Sequence, residues 1–312
     1  MVVDLVMPYV NNQDKVWRKV FRDYCKAHPE YKEHLKTING ERYRDDNNYF
    51  ELNLKLIRVC LPFIRNFYLI VSNPEQVEGL DLTGITLVLH KDIMPSEILP
   101  TFNSSTIEMF IGNIKGLAEH FIYINDDMMP LRVMQPSDFF GDGTIKLNRY
   151  SQHDTTNDTL FREMLVREYR EVFKGTDDYL GDDFYVRPEH TASPMLLSVV
   201  KRAREQHSSA IEQHLEAFRN VYQHNQYLYF YQAIKENKQE QSNLRFKYIR
   251  LRSINFLANC YDICNTKGSK IDWICINDEI EDYELKDREL RHKVLRRAIE
   301  LCLEYLENKK GE

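Results

Sequence analysis

Apolar positions along the chain fall into two rhythms. Short runs rich in Ile, Val, Leu and aromatics stop abruptly at polar residues, at 2–10, 66–73, 85–90, 121–127 and 273–279. A run apolar on both faces suits a strand covered on both sides, so these runs predict a mostly parallel sheet sandwiched by helices. Elsewhere the apolar residues recur at helical spacing. Leu52, Leu56, Val59 and Phe63 mark a helix over about 48–62, and Ile107, Ile111, Ile114 and Ala118 mark one that starts at Ser104 or Ser105 and runs into the strand at Phe121. Residues 158–240 lose the strand rhythm and read as helices, with Leu160, Met164 and Val172 on one and Ala210, Leu215 and Phe218 on another. Val294, Ala298, Cys302 and Tyr305 mark a closing helix. The expected fold is α/β: a mostly parallel, Rossmann-like sheet flanked by helices. Its parts are a core over 1–150, a mainly helical insertion over 151–250, and a last core strand with the closing helix over 251–312.

Composition narrows the function. The 312 residues carry 42 Lys+Arg against 48 Asp+Glu, a formal charge of -6, with 43% hydrophobic residues. That is an ordinary globular make-up without a basic stripe, so no nucleic-acid partner is expected. No apolar run approaches the roughly 18–20 residues of a membrane span, and Asp4 interrupts the first apolar stretch, so neither leader nor anchor is expected. The six cysteines sit mostly in apolar segments, which predicts reduced, buried thiols in a cytoplasm. Cys260-x3-Cys264 lacks a second pair at finger spacing and reads as core packing, not zinc. The glycine-rich dinucleotide and P-loop fingerprints and the serine-nucleophile elbow are absent.

Ligands in an open α/β sheet sit beyond the carboxyl ends of the strands. Two strands end almost alike there, one in Asn125-Asp126-Asp127 and the other in Asn277-Asp278-Glu279. Glu108, in the first turn of a helix antiparallel to the strand at Phe121, is placed to face Asp126. Carboxylates gathered in this way repel unless a cation sits among them, and a hard ion such as Mg2+ or Mn2+ bridging a phosphate fits oxygen ligands. Plainer readings stand beside these. Ser105-x-x-Glu108 is also a capping box, and Asn-Asp after a strand is common turn chemistry. His190, in a loop bounded by Pro188 and Pro194, is a base or phosphate donor, or a surface residue. Arg219, placed on a helix, is a phosphate clamp or a solvated cation. Arg42 and Arg44 bind a diphosphate or belong to a solvated turn.

Together these motifs resemble the Stealth family of sugar-phosphate transferases. Matching blocks lie at 4–17, at 42–45 continuing through 99–108, 121–127 and 136–139, at His190, Pro194 and Arg219, and at 274–278. The resemblance implies transfer of a hexose-1-phosphate, typically an N-acetylhexosamine-1-phosphate from a UDP-sugar donor, to a sugar hydroxyl of a capsular or exopolysaccharide acceptor. It places Glu108, Asp126, His190, Arg219 and Asp278 at the family's functional positions. On this reading Asp127 and Asp278 hold the metal, and Asn11, Arg42, Arg44, Asn103, Ser104 and Asn125 contact the donor. Peripheral docking on the inner face of a membrane that carries the acceptor is compatible with it. The competing readings are a metal-dependent glycosyltransferase, which breaks the carbon–oxygen bond, and a non-catalytic carbohydrate-binding protein that uses its 19 Tyr for stacking.

Overall fold

The chain opens as strand β1 (Val3–Pro8), followed by α1 (Lys15–Ala27), α2 (Tyr49–Cys60), β2 (Ile64–Val71), β3 (Ile85–Leu89), α3 (His90–Ile93), α4 (Ser104–Glu108), β4 (His120–Tyr123), β5 (Met128–Pro130), β6 (Ile145–Leu147) and β7 (Ser151–Asp154). It continues through α5 (Leu160–Phe173), β8 (Phe184–Arg187), β9 (Ser193–Leu196), α6 (Leu197–Gln206), α7 (Ser208–Glu212), α8 (Tyr227–Lys235), β10 (Gln239–Gln241), β11 (Phe246–Arg250), α9 (Phe256–Cys264), β12 (Trp273–Asn277) and α10 (Arg288–Lys310). This computed structural model describes residues 1–36, 49–148, 151–154, 159–265, 271–277 and 288–310. Among them no helix is long and apolar enough to cross a membrane.

The central sheet has the order β3-β2-β1-β4-β9. β1, β2, β3 and β4 are parallel and β9 is antiparallel to β4, so the expected α/β class with a mostly parallel sheet holds. Leu5, Val6, Met7, Leu69, Ile70, Phe121 and Ile122 are buried, as strands covered on both faces require. Because β1 is flanked by β2 on one side and β4 on the other, the chain leaves its carboxyl end in opposite directions. The crevice created there is where an open α/β sheet takes its ligand. At the far end of β1, Asp4 is fully buried and pairs with Arg65 at 2.6 Å while accepting from the amide of Ala118 at 2.7 Å. This carboxylate anchors the sheet, away from the crevice.

Three sequence expectations change. The helix expected to run from Ser104 into the strand stops at Glu108 and gives way to a 3-10 turn over Ile111–Asn113. Ile107, Ile111 and Ile114 are still buried, but Gly112 lies where a Cβ would sit 3.2 Å from Val200, and Gly116 adopts φ +82°, which ends any helical path. The stretch read as wholly helical also supplies β8 and β9, and β9 joins the central sheet. Its four residues include Pro194, which hides a strand from pattern reading and is tolerated at a sheet edge. Finally, β12 is not in the central sheet but in a second one, β11-β12-β5, where it runs antiparallel to β5. Its end still reaches Asp127, because the ladder Trp273↔Pro130 to Cys275↔Met128 continues into a bond from Ile276 N to Asp127 O.

Candidate active site

The acidic loop is a three-residue link between the two sheets. Ile124 N still bonds to Val6 O, the chain then turns through Asn125, Asp126 and Asp127, and Met128 N closes on Asn125 O at 3.1 Å. Asn53, buried on the otherwise apolar face of α2, donates to the carbonyls of Asp126 at 3.1 Å and Met128 at 2.8 Å. Sequence reasoning missed this residue; a lone amide between Leu52 and Leu54 on a core-facing helix was the available signal. All three loop residues are half-buried. Asp127 Oδ2 accepts from the Cys275 thiol at 3.2 Å and lies 3.9 Å from His190 Nε2, while its Oδ1 is buried with no hydrogen-bond partner among the described residues. The Nδ1 of His190 meets the Tyr227 hydroxyl at 3.2 Å.

Glu108 is placed by α4 and is not a cap. Asn103 caps the helix, its Oδ1 accepting from Ser105 N at 3.1 Å. Glu108 instead points inward at 5% exposure, Oε1 accepting from the Tyr123 hydroxyl at 3.0 Å and Oε2 from Gln226 N at 2.8 Å. Burial pushes its carboxyl above the ordinary range, against the pull of Gln226 N, the Arg219 charge and the Tyr123 hydroxyl. The same burial, with Glu108 beside it, pushes the Tyr123 phenol well up.

Arg219 does not lie on a helix. α7 ends at Glu212, and residues 215–220 are irregular because their backbone is bonded to the loop before and into α4: Phe102 N to Ala217 O at 2.9 Å, and Thr106 Oγ1 to Glu216 O at 2.9 Å. Arg219 donates to the Ser104 hydroxyl. Asn103 Nδ2 donates to Gln223 Oε1 at 2.7 Å. The strap continues through 221–226, held from α5 by Arg167 at the carbonyl of Gln223, Glu168 at the amide of Asn225, and Glu171 at the ring of His224 at 2.8 Å. Glu168 is fully buried and burial pushes its carboxyl well up. For Glu171 burial acts upward too, but hydrogen bonds from His207 and His224 outweigh it and hold the carboxyl well below the ordinary range.

Two cavities meet on this framework. The first, about 220 Å³, is lined by residues that follow β1 (Tyr9, Val10), β2 (Ser72), β3 (His90) and β4 (Asn125, Asp126, Asp127), together with Trp17 and Phe102. It therefore sits at the carboxyl ends of the strands, at the reversal of strand order. Burial lowers His90 to about 4, so its ring is neutral there. The second, about 820 Å³, is lined by Glu108, His190, Tyr227, Tyr248 and the guanidiniums of Arg187 and Arg250. Ser104, Asn125 and Arg219 line both and form their common border.

Of the residues singled out in the sequence, Glu108, Asp126, Asp127, His190, Arg219, Ser104, Asn125 and the cap residue Asn103 are thus gathered on one face. Asn11 stands aside, its Oδ1 accepting from Gln13 N at 2.9 Å. Arg42, Arg44 and Asp278 lie outside the described residues. The carboxylates of Asp126 and Asp127 and the amide of Asn125 offer oxygen ligands on one loop, and Asp127 Oδ1, without a hydrogen-bond partner among the described residues, adds a free lone pair, so a divalent ion fits this donor set. Asp127, His190 and Cys275 also bring one ligand atom each within 4.8 Å of one another, a group able to hold a metal ion.

Residues 42–147 match the model of Stealth protein conserved region 2. The exopolysaccharide phosphotransferase cps2G of Lactiplantibacillus plantarum is 34% identical over 143 residues, covering 45% of this chain and 40% of that protein. The capsular polysaccharide phosphotransferase LcbA of Neisseria meningitidis is 31% identical over 140 residues, 44% of this chain and 37% of its own. These matches thus span about two fifths of the relatives' length. The capsular polysaccharide phosphotransferase fcs1 of Haemophilus influenzae is matched more broadly, 27% identical over 291 residues, 88% of this chain and 78% of that protein. Among solved structures, galactosyltransferase LgtC in complex with donor and acceptor sugar analogs aligns at a TM-score of 0.46 and 10% identity, covering 94% of this chain and 95% of that one. The acidic strand end, Glu108 and the region between them all fall inside the matched segment, which is similar to Stealth protein conserved region 2 and to bacterial capsular and exopolysaccharide phosphotransferases.

Proposed function

We propose that the chain transfers a hexose-1-phosphate, N-acetylhexosamine-1-phosphate by preference, from a nucleotide-sugar to a sugar hydroxyl of a capsular or exopolysaccharide acceptor. The observation that carries this reading is the border of the two cavities, where Arg219 and the Asn125–Asp127 loop face the same space. The aromatic cavity beyond β1 suits the nucleoside, the border suits the diphosphate, and the larger, Arg-flanked cavity suits the sugar and its acceptor.

In the reaction the acceptor oxygen bonds to the sugar-proximal phosphorus, the bond from that phosphorus to the bridging oxygen breaks, and nucleoside monophosphate leaves. Positioning and charge neutralisation carry most of such a step. Arg219, tied to Ser104, offers a guanidinium to the non-bridging oxygens. His190 is the base the geometry favours: Tyr227 holds its Nδ1, and its Nε2 faces the border at 3.9 Å from Asp127. Glu108 is less suited, since both its oxygens already accept hydrogen bonds; it fixes Tyr123 and Gln226 instead. A divalent Mg2+ or Mn2+ ion on Asp127 and Asp126, with Asp278 as a further ligand, would neutralise charge on the diphosphate.

The test is incubation with a panel of nucleotide-sugars and Mn2+, reading nucleoside monophosphate release and the fate of a heavy oxygen isotope placed at the anomeric position. The label stays with the transferred sugar-phosphate if this reading holds. Its departure with the nucleotide would establish a glycosyltransferase, and no release with any donor would leave only sugar binding.

A further inference from the structure

The side of the acidic loop that faces the second sheet has a different chemistry from the side that faces the crevice. Cys60, Cys264 and Cys302 turn their sulfur atoms toward backbone carbonyls, whereas Cys275 turns its Sγ to a carboxylate, 3.2 Å from Asp127 Oδ2. His190 Nε2 closes the group at 3.9 Å from the same oxygen, and all three ligand atoms lie within 4.8 Å of one another. Thiolate, imidazole and carboxylate together are a poor set for a hard ion and a good one for zinc-class ions.

We propose that Asp127, His190 and Cys275 form a three-ligand site for a thiolate-accepting divalent ion of the Zn2+ class, with its fourth position open to the crevice. Three protein ligands and one open position are the usual arrangement of a reactive zinc site. With metal–sulfur bonds of about 2.3 Å and metal–nitrogen or metal–oxygen bonds of about 2.0 Å, tetrahedral ligand atoms stand roughly 3.3–3.5 Å apart. The separations from Asp127 Oδ2, 3.2 Å to Cys275 and 3.9 Å to His190, bracket that value, and the third lies within 4.8 Å, so a side-chain adjustment is enough to close the sphere.

Preorganisation supports the site. Cys275 and Asp127 are set by consecutive rungs of the β5–β12 ladder, Cys275 opposite Met128 and Ile276 N on Asp127 O. Tyr227 engages His190 Nδ1 and so directs Nε2 inward, the usual outer contact of a metal-bound imidazole. Asp127 Oδ1, buried without a partner among the described residues, is a further lone pair facing inward. Burial keeps the Cys275 thiol protonated in the ion-free protein, so binding releases one proton to solvent. The site itself stands on these side chains alone. Only its consequence rests on the transfer reading: an ion that takes His190 Nε2 and Asp127 withdraws both from the reaction, so zinc-class ions inhibit a turnover that Mn2+ supports.

Cobalt titration of the full chain tests this without any turnover. Co2+ should give a thiolate-to-cobalt charge-transfer band at one equivalent, bleached by Zn2+ but not by Mg2+, and absent from Cys275→Ser. Tyr227→Phe should keep the band and weaken affinity about 10–100-fold, the effect of losing an outer-shell partner. Should Cys275→Ser fail to fold, His190→Gln, at a half-buried ring, should lower Co2+ affinity at least tenfold with an unchanged melting temperature. A wild-type protein without the band, a band undiminished in Cys275→Ser, or an affinity unchanged in His190→Gln would each overturn the site. Because the readout is spectroscopic, its failure leaves the monophosphate assay to judge the transfer reading separately.

Discussion

The acidic loop at the end of β4 and the strap over 215–226 face each other across the same crevice, yet they are built in opposite ways. The loop is made of consecutive residues, half-buried, with side chains turned toward ligand space and its backbone fixed by strand ladders and Asn53. The strap has no regular structure of its own and is held by polar groups from elsewhere: the buried Glu108 at Gln226, Glu168 at Asn225 and Asn103 at Gln223, and the partly exposed Glu171 at His224. A loop on ladders can lose a side chain and keep its shape. A strap held by buried carboxylates cannot, since each lost acceptor leaves an amide buried without a partner.

The sharpest way to break this contrast is to exchange the roles. Asp126→Asn and Asp127→Asn should lower turnover on the order of a hundredfold or more, as the loss of one preorganised electrostatic group does, with the melting temperature within a degree or two of wild type. Monophosphate release and calorimetry on the same samples check both halves. In the strap, Glu168→Ala should destabilise by about 1–3 kcal/mol by orphaning Asn225 N, visible as a lower denaturant midpoint, whereas Glu168→Gln keeps an acceptor and should recover most of the loss. Removing the α4 cap with Asn103→Ala should cost about 1 kcal/mol, and since Asn103 also holds Gln223, the loss should exceed that of an exposed cap.

The smallest expected effect is on pH dependence. Glu108 and Glu168 have carboxyls raised above the usual 4.5, so the folded state holds protons the unfolded chain has lost. The stability they contribute is full below pH 4.5 and fades as pH rises through their folded values. His224 goes the other way. Burial, with Arg167 adding to it, lowers its ring below 6.5, so its contribution is full above pH 6.5 and is lost as pH falls toward the folded value. Glu171, held low, adds a loss in acid below 4.5. Glu168→Gln should therefore flatten the decline of melting temperature on the alkaline side without changing the acidic limb, which a series of melts across pH would show.

The same contrast explains what the sequence revealed. β1 to β4 were legible because strands buried on both faces are continuous apolar runs, and Asn125, Asp126 and Asp127 were legible because a polar cluster ends one of those runs. Glu108 was found through topology, although its inward path to Tyr123 and Gln226 could not be seen from spacing. Arg219 was singled out as a phosphate clamp or a solvated cation but placed on a helix that does not exist, since Phe102 and Thr106, more than a hundred residues away in sequence, claim the carbonyls a helix would need. Glu168, Glu171 and Asn53 left almost no trace: on an amphipathic helix a partnered acid or amide reads like any polar position until its partner is known. The second sheet was hidden for a related reason, because β12 copies the ending of β4 while pairing with β5.

The central claim is that the Asn125–Asp127 loop and Arg219 together grip a nucleotide-sugar diphosphate through a divalent ion. Thermal melts of wild type and Asp127→Asn with UDP-N-acetylhexosamine, with and without Mn2+, test it most directly. A donor at about 100 times its dissociation constant stabilises the native state by about 2.7 kcal/mol. The wild-type melting temperature should rise only when donor and Mn2+ are both present, and the rise should vanish in Asp127→Asn. An equal rise without Mn2+, or one that survives Asp127→Asn, would contradict the claim.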